Sequence, residues 1–310
     1  MIVALKESFS AAASIVKLIF PVLFSLEILK YFQLIEPLSI LFSPIMELLE
    51  LPNEFSIIWV IGLFTGVYGA VASFFYIITN PESYSIAEVS ILSALILIAH
   101  ALPVEAKVSQ YLGVGYWKTI FFRFFLSIIF ALLIKCFIDF FGLLQDKIYL
   151  TTSIIGQQET SVISIIVNPI IICIKISLII ILLHLIIEFL KKIKVIYYLE
   201  IALKPIATIL KIDDRLSSSV LIGIVLGISY GGSLLIKDMK NLKKVSNNEK
   251  KKAIYLLNIL HSLIEDTILV LLIGANIFIV LFGRILFSIF IMILIDVYYY
   301  KFKSSGYREY

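Results

Sequence analysis

The sequence predicts an all-α polytopic membrane protein of two inverted-topology repeats, each with three spans, an interfacial helix and a re-entrant helical hairpin. Three observations carry this prediction. Hydrophobic residues make up 61% of the 310-residue chain and charged ones 15%, with a mean hydropathy of +1.05, whereas a soluble domain is usually about 25% charged. Shifting the chain by 161 positions aligns one half on the other without a gap, a signature of internal repetition. Lysines crowd one loop and are absent from its counterpart, which places the two loops on opposite sides of the bilayer.

Long apolar stretches run at 8–32, 55–78, 86–112, 117–141, 161–190, 216–237, 253–275 and 277–300. Most reach the roughly 20 residues that a spanning helix needs. They are continuous rather than alternating, which selects helices over barrel strands. The first continues past Ala11, Ala12 and Ala13 to Leu29 and follows no basic segment, so it reads as a retained span and not as a cleaved signal. Cys136 and Cys173 both lie in apolar runs and indicate no disulfide framework.

The shift of 161 brings Pro44 onto Pro205, Gly62 onto Gly223, Gly66 onto Gly227, His100 onto His261, Gly113 onto Gly274 and Arg123 onto Arg284, with Glu105 opposite Asp266. Apolar identities would match by chance; these do not. The predicted organisation is membrane repeat 1 at 1–141, an extracytoplasmic linker at 142–163, repeat 2 at 164–300 and a cytoplasmic tail at 301–310. In each repeat a first span (8–32; 164–190) leads to a short amphipathic segment with proline and charges (36–51; 197–212), suited to the interface. A glycine-interrupted stretch follows (55–78; 216–237), and then two spans joined tightly at Gly113 or Gly274.

The loop after the first glycine-interrupted stretch holds Glu82 and Glu88, and its counterpart holds Lys240, Lys243, Lys244, Lys250, Lys251 and Lys252. Lysines favour the cytoplasm, so the repeats are inverted, with both termini cytoplasmic. The run KKVSNNEKKK (243–252) is a solvated, topology-setting loop, open to anionic lipid headgroups,. Inversion requires an odd number of crossings per repeat. The stretches GLFTGVYGA (62–70) and GIVLGISYGG (223–232) must then turn back inside the membrane, where irregular backbone survives only if buried in protein or lining a cavity. The other reading is an ordinary span whose Gly-x-x-x-Gly face packs on a neighbour.

The third span of each repeat carries polar residues that are costly in lipid and therefore candidates for function. AHALPVEAK contains His100, Pro103 and Glu105, and NILHSLIEDT contains Asn258, His261, Glu265 and Asp266. Pro103 frees a backbone carbonyl, and a broken helix near the midplane is where inverted-repeat transporters hold solute and ions. Glu105 and Arg123 lie nine residues on either side of Val114, and Asp266 and Arg284 nine on either side of Ala275, about 13 Å into the bilayer. They are expected to form two structural ion pairs, a role that competes with substrate binding. His184 and Glu188 share a helix face and suit an inter-helix contact.

This pattern resembles the nucleoside-recognition, or gate-domain, family, related to concentrative nucleoside transporters and to the gate regions of ferrous-iron transporters. The likeness rests on the doubled order of elements, on GLFTGVYG and GIVLGISYGG, and on HALPVE and HSLIED, and it covers about residues 8–300. It implies that hairpin tips and broken helices enclose the solute. By position, that assigns substrate contacts to Thr65, Gly66, Tyr68, His100 and Glu105 from one half and to Gly227, Ser229, Tyr230, Asn258, His261, Glu265 and Asp266 from the other. The Gly-Gln-Thr-Glu type motif of the nucleoside transporters is not in 55–78, and GQQET lies outside the hairpin at 156–160.

The expected function is a cell-membrane permease for a small polar solute, nucleoside-like or ionic, working by alternating access. No resident cofactor, metal or enzymatic activity is expected, and sodium or a proton would serve as coupling ion. The expected partners are the lipid bilayer and the solute, with a homo-oligomer open and no nucleic acid. Two other classes stand beside it: a non-transporting membrane subunit, and an intramembrane metal-dependent enzyme built on His100, His261, Glu105 and Asp266. No HExxH spacing supports the enzyme, and no GxxxxGK[ST] loop supports ATP drive,.

Overall fold

The protein is described by a computed structural model covering residues 2–150, 163–210, 212, 214–227 and 246–304. The described residues are almost wholly helical, with one isolated antiparallel bridge between Ser85 and Lys147. Six helical segments are long and apolar enough to cross a membrane: Leu5–Tyr31, Ile86–Leu112, Tyr116–Phe141, Ile165–Lys192, Asn247–Leu271 and Phe278–Val297. This is a polytopic all-α membrane protein.

Helix α1 (Ile2–Tyr31) is followed by α2 (Ile35–Ile40) and α3 (Ser43–Leu49). The expected interfacial segment is therefore two short helices. Glu50 is left-handed at the end of α3, Pro52 follows, and α4 (Glu54–Thr65) leaves at 111° to α3. After α4 the chain turns at Gly66 (φ 89°) into α5 (Val67–Ile77). A Cβ placed on Gly62 would lie 3.0 Å from the Cβ of Ala70, whereas eight residues of continuous helix span about 12 Å. The stretch is thus a hairpin of two packed half-length helices, and an unbroken span with a Gly-x-x-x-Gly face is ruled out.

Helix α6 (Ile86–Ile98) starts with a capping box in which Ser85 Oγ accepts from the Glu88 amide and Glu88 accepts from the Ser85 amide. It stops at residues 99–101, where Ala101 is left-handed (φ 45°), and α7 (Leu102–Leu112) continues with Pro103 in its first turn. Proline is tolerated there because the first amides of a helix have no intrahelical acceptor. Gly113 (φ 104°) closes the tight connection to α8 (Tyr116–Phe141). The start of the linker folds back: the Ile86 and Ala87 amides donate to the carbonyls of Asp146 and Leu144.

The second half repeats these parts as α9 (Ser164–Lys192), α10 (Val195–Ile209) and α11 (Asp214–Leu226), then α12 (Asn247–Leu260), α13 (Glu265–Leu271), a π-helical turn (Phe278–Gly283) and α14 (Arg284–Ser304). Local geometry recurs at the offset of 161. Gln33 and Lys194 are left-handed (φ 56° and 59°), as are Ala101 and Ser262 (45° and 49°), and Gly66 and Gly227 share φ near 90–100°. The Ser85–Glu88 capping box has its twin in Ser246–Glu249.

Corresponding helices meet antiparallel. Asn168 near the start of α9 donates to Glu27 near the end of α1 at 2.8 Å. Gly283 faces Ile134 while Phe287 stacks on Phe130, so residue numbers rise along one helix as they fall along the other. The broken helices α6–α7 and α12–α13 are mostly buried, whereas α1, α8, α9 and α14 bury only a minor share of their residues and carry Phe121, Phe125, Leu178, Leu182, Leu286 and Phe290 outward. Such faces match hydrocarbon and not water.

Candidate functional site

Each helix break is built from backbone groups that the turn itself releases. The Ala101 amide donates to the Gly62 carbonyl at 3.0 Å, and the Ser262 amide to the Gly223 carbonyl at 3.4 Å. The Gly66 elbow therefore abuts the first break, and Gly227, at the end of α11, abuts the second; the rest of the expected second hairpin lies outside the described residues. A Cβ on Gly66 would lie 3.6 Å from the Ala101 Cβ, and one on Gly227 only 2.5 Å from the Ser262 Oγ.

The free carbonyls at the ends of α6 and α12 are taken by arginines from the following span. Arg123 Nε donates to the Ile98 carbonyl at 2.8 Å, and Arg284 Nε to the Ile259 carbonyl at 2.9 Å. Arg284 also donates to the His261 carbonyl at 3.0 Å. A helix C-terminus favours a cation and an N-terminus an anion, and Glu105, Glu265 and Asp266 occupy the first turns of α7 and α13. Each break thus collects an arginine on one side and a carboxylate on the other.

Across the centre, four acceptors converge. The Nδ1–H of His100 donates to the Ile96 carbonyl at 2.9 Å, and that of His261 to the Leu257 carbonyl at 2.8 Å. A carbonyl can only accept, so each Nδ1 carries a proton, and in the neutral imidazole each Nε2 then presents a lone pair inward. The two Nε2 atoms are 3.1 Å apart. Glu105 Oε1 is 3.0 Å from His261 Nε2 and 3.4 Å from His100 Nε2, and Asp266 Oδ2 is 3.5 Å from His100 Nε2. All four residues are buried.

The two expected ion pairs differ. Arg123 contacts Glu105 directly through its other carboxylate oxygen, Oε2. Arg284 NH1 is 3.9 Å from Asp266 Oδ2, which has no hydrogen-bond partner among the described residues. Arg284 is oriented by its Nε and NH2 bonds to the two carbonyls, and its NH1, which has no hydrogen-bond partner among the described residues, stands beside Asp266 as a neighbouring charge.

Other expected site residues take varied places. Tyr68, just past the first elbow, donates to Glu265 Oε1 of the second repeat at 2.5 Å. Asn258 is buried and accepts from Ser109 Oγ at 2.9 Å; Ser109 lies one turn beyond Glu105 and is not among the expected site residues. Thr65 donates back to the Ile61 carbonyl at 2.7 Å and stays apart from the cluster. Ser229, Tyr230 and GQQET lie outside the described residues. Glu188 pairs with Lys191 at 2.6 Å on its own helix, and His184 borders a small cleft with Leu226 and Glu265.

No protein-family model and no solved structure matches the chain. Over 308 residues it is 23% identical to a protein of Bacillus subtilis (strain 168) described as uncharacterized membrane protein YvoD, with 97% of this chain and 96% of that protein covered. The likeness spans the elbows, both breaks and the central cluster, and it agrees with the structure that this is an integral membrane protein.

Proposed function

We propose that the chain is a gate-domain-type transporter that carries a small polar solute across the cell membrane by alternating access. The observation that carries this reading is the docking of Gly66 and of Gly227 each on a helix break, around one buried polar cluster. Discontinuous helices near the midplane give a carrier its binding groups and its points of flexure. The antiparallel meeting of corresponding helices supports two repeats inverted in the bilayer, and the lysines at 240–252 favour cytoplasmic termini,. Tyr68 and Glu265 join the elbow of one repeat to the break of the other, so movement of either changes a contact between them. Sodium or a proton supplies the coupling.

Purified protein in liposomes tests the reading with a panel of nucleosides, amino acids and inorganic ions. Wild type is expected to accumulate at least one of them, and a Gly66→Leu/Gly227→Leu variant that remains helical and monodisperse is expected to lose the uptake. Transport by that variant at the wild-type rate would refute the mechanism. A stoichiometric co-purifying protein with no uptake would favour a non-transporting subunit. Inversion is tested with Glu82→Cys and Ser246→Cys in a Cys136→Ser/Cys173→Ser background; labelling of both from one side would sink it.

A further inference from the structure

We infer that His100, His261, Glu105 and Asp266 form a binding site for one tetrahedral divalent ion of the zinc type, held between the helix breaks of the two repeats. Three independent features point to an ion. The first is the absence of a donor. The Nε2 atoms of both histidines lie within 3.5 Å of a carboxylate oxygen of Glu105 or Asp266, and Asp266 Oδ2 has no hydrogen-bond partner among the described residues, with Arg284 NH1 3.9 Å away. Buried acceptors left in that state are costly. A single shared proton would serve one pair and leave Asp266 Oδ2 unserved, whereas a cation serves all four together.

The second feature is size. Zinc binds His nitrogen and carboxylate oxygen at about 2.0–2.2 Å, and a tetrahedron with such arms has edges of about 3.3–3.6 Å. The recorded separations between these donor atoms are 3.0, 3.1, 3.4 and 3.5 Å, and the donor atoms of His100, His261 and Asp266 all lie within 4.8 Å of one another. The compact set is His100, His261 and Asp266, with Glu105 beside both histidines, and Asp266, nearer His100 than His261, must move toward the centre to close the shell. Two imidazoles with two carboxylates in a compact four-point arrangement suit zinc; hard cations such as calcium or magnesium demand more oxygens.

The third feature is the outer shell. Metal-binding histidines usually donate their other N–H to a carbonyl or carboxylate, which fixes the ring and the tautomer. Both histidines do so, to Ile96 and Leu257. Glu105 turns Oε1 inward while Oε2 is held by Arg123. With Arg123 and Arg284 balancing the two carboxylates, the empty shell carries no net formal charge, which keeps the affinity moderate. An ion there ties the two repeats together at their breaks.

Ion binding does not depend on the transport reading and is tested in detergent. Protein stripped with chelator is dialysed against Zn²⁺ and, separately, Co²⁺. We expect one ion per chain, visible cobalt bands of tetrahedral intensity, and no competition from excess Mg²⁺ or Ca²⁺. His100→Gln, His261→Gln and Asp266→Asn should each weaken binding at least about tenfold, while Glu82→Gln on the exposed loop should not. The wild-type cobalt spectrum decides the matter even if a variant fails to fold. Absence of saturable binding, an octahedral cobalt spectrum, or full binding by a folded His100→Gln/His261→Gln variant would overturn the site. Binding without solute uptake would support the site and count against transport; uptake without metal binding would do the reverse.

Discussion

Replacing Glu105 by glutamine should destabilise the protein far more than replacing Asp266 by asparagine, although the two carboxylates occupy equivalent positions of the repeat. Arg123 is fully buried, and Glu105 is its direct carboxylate contact. Glu105→Gln keeps the shape but leaves that guanidinium uncompensated, a loss of about 3–5 kcal/mol for a buried pair broken on one side. Asp266→Asn removes a charge 3.9 Å from Arg284, which retains its bonds to the Ile259 and His261 carbonyls. Without a hydrogen bond to lose, the cost falls to about 1 kcal/mol. At about 2 °C per kcal/mol for a chain of this size, the gap of about 2–4 kcal/mol is about 4–8 °C in Tm. The assay is thermal unfolding in detergent with chelator present, so that ligation adds nothing. Exposure of buried Cys173 to a thiol dye in a Cys136→Ser background reports the transition. Equal losses of Tm, or a larger one for Asp266→Asn, would refute the asymmetry drawn from the two arginines.

The elbows should respond unequally to alanine. Gly66→Ala and Gly227→Ala each incur roughly 1–2 kcal/mol for a left-handed backbone, but only Gly227→Ala also meets the Ser262 hydroxyl at 2.5 Å, so its Tm should fall further. Ser85→Ala should cost about 1–2 kcal/mol and Ser246→Ala nearer 0.5 kcal/mol, because the first cap is buried and the second exposed; hydrogen exchange in the first turns of α6 and α12 measures both. In the loop before α6, burial and the neighbouring Glu54 carboxylate push the Tyr84 phenol up to about 12. Its neutral form therefore contributes stability that is fully present below pH 10 and is lost as pH rises toward 12, by a modest amount because the group is partly exposed. Tyr84→Phe should flatten the fall in Tm over that window; an unchanged slope would argue against the shift.

How much of this was legible in the sequence follows from what each feature depends on. Membrane class and the six spans follow from run length and polarity, which a bilayer reads residue by residue. The repeat is visible because Gly66/Gly227, Gly113/Gly274 and His100/His261 stand at one offset, and these types are fixed by backbone geometry or polarity rather than by apolar filling. The pairing of Glu105 with Arg123 followed from counting outward from a tight turn. Asp266 and Arg284 satisfy the same count yet remain 3.9 Å apart, since a count fixes helix level and leaves side-chain partners undetermined.

The four-donor cluster had no signature in one dimension. His100 and Glu105, like His261 and Asp266, are five residues apart, a spacing that on a continuous helix points the two side chains about 140° away from each other. The left-handed residues Ala101 and Ser262 break the helices and turn the carboxylates toward the centre, Glu105 to both histidines and Asp266 to His100 of the other half. Only the antiparallel meeting of the halves then brings one pair onto the other, with Nε2 of His100 facing Nε2 of His261. Sequence determined the solvent and the elements, because these depend on local polarity and backbone preference. The tertiary structure decided the convergence at the centre, because that depends on how two separately encoded breaks pack together.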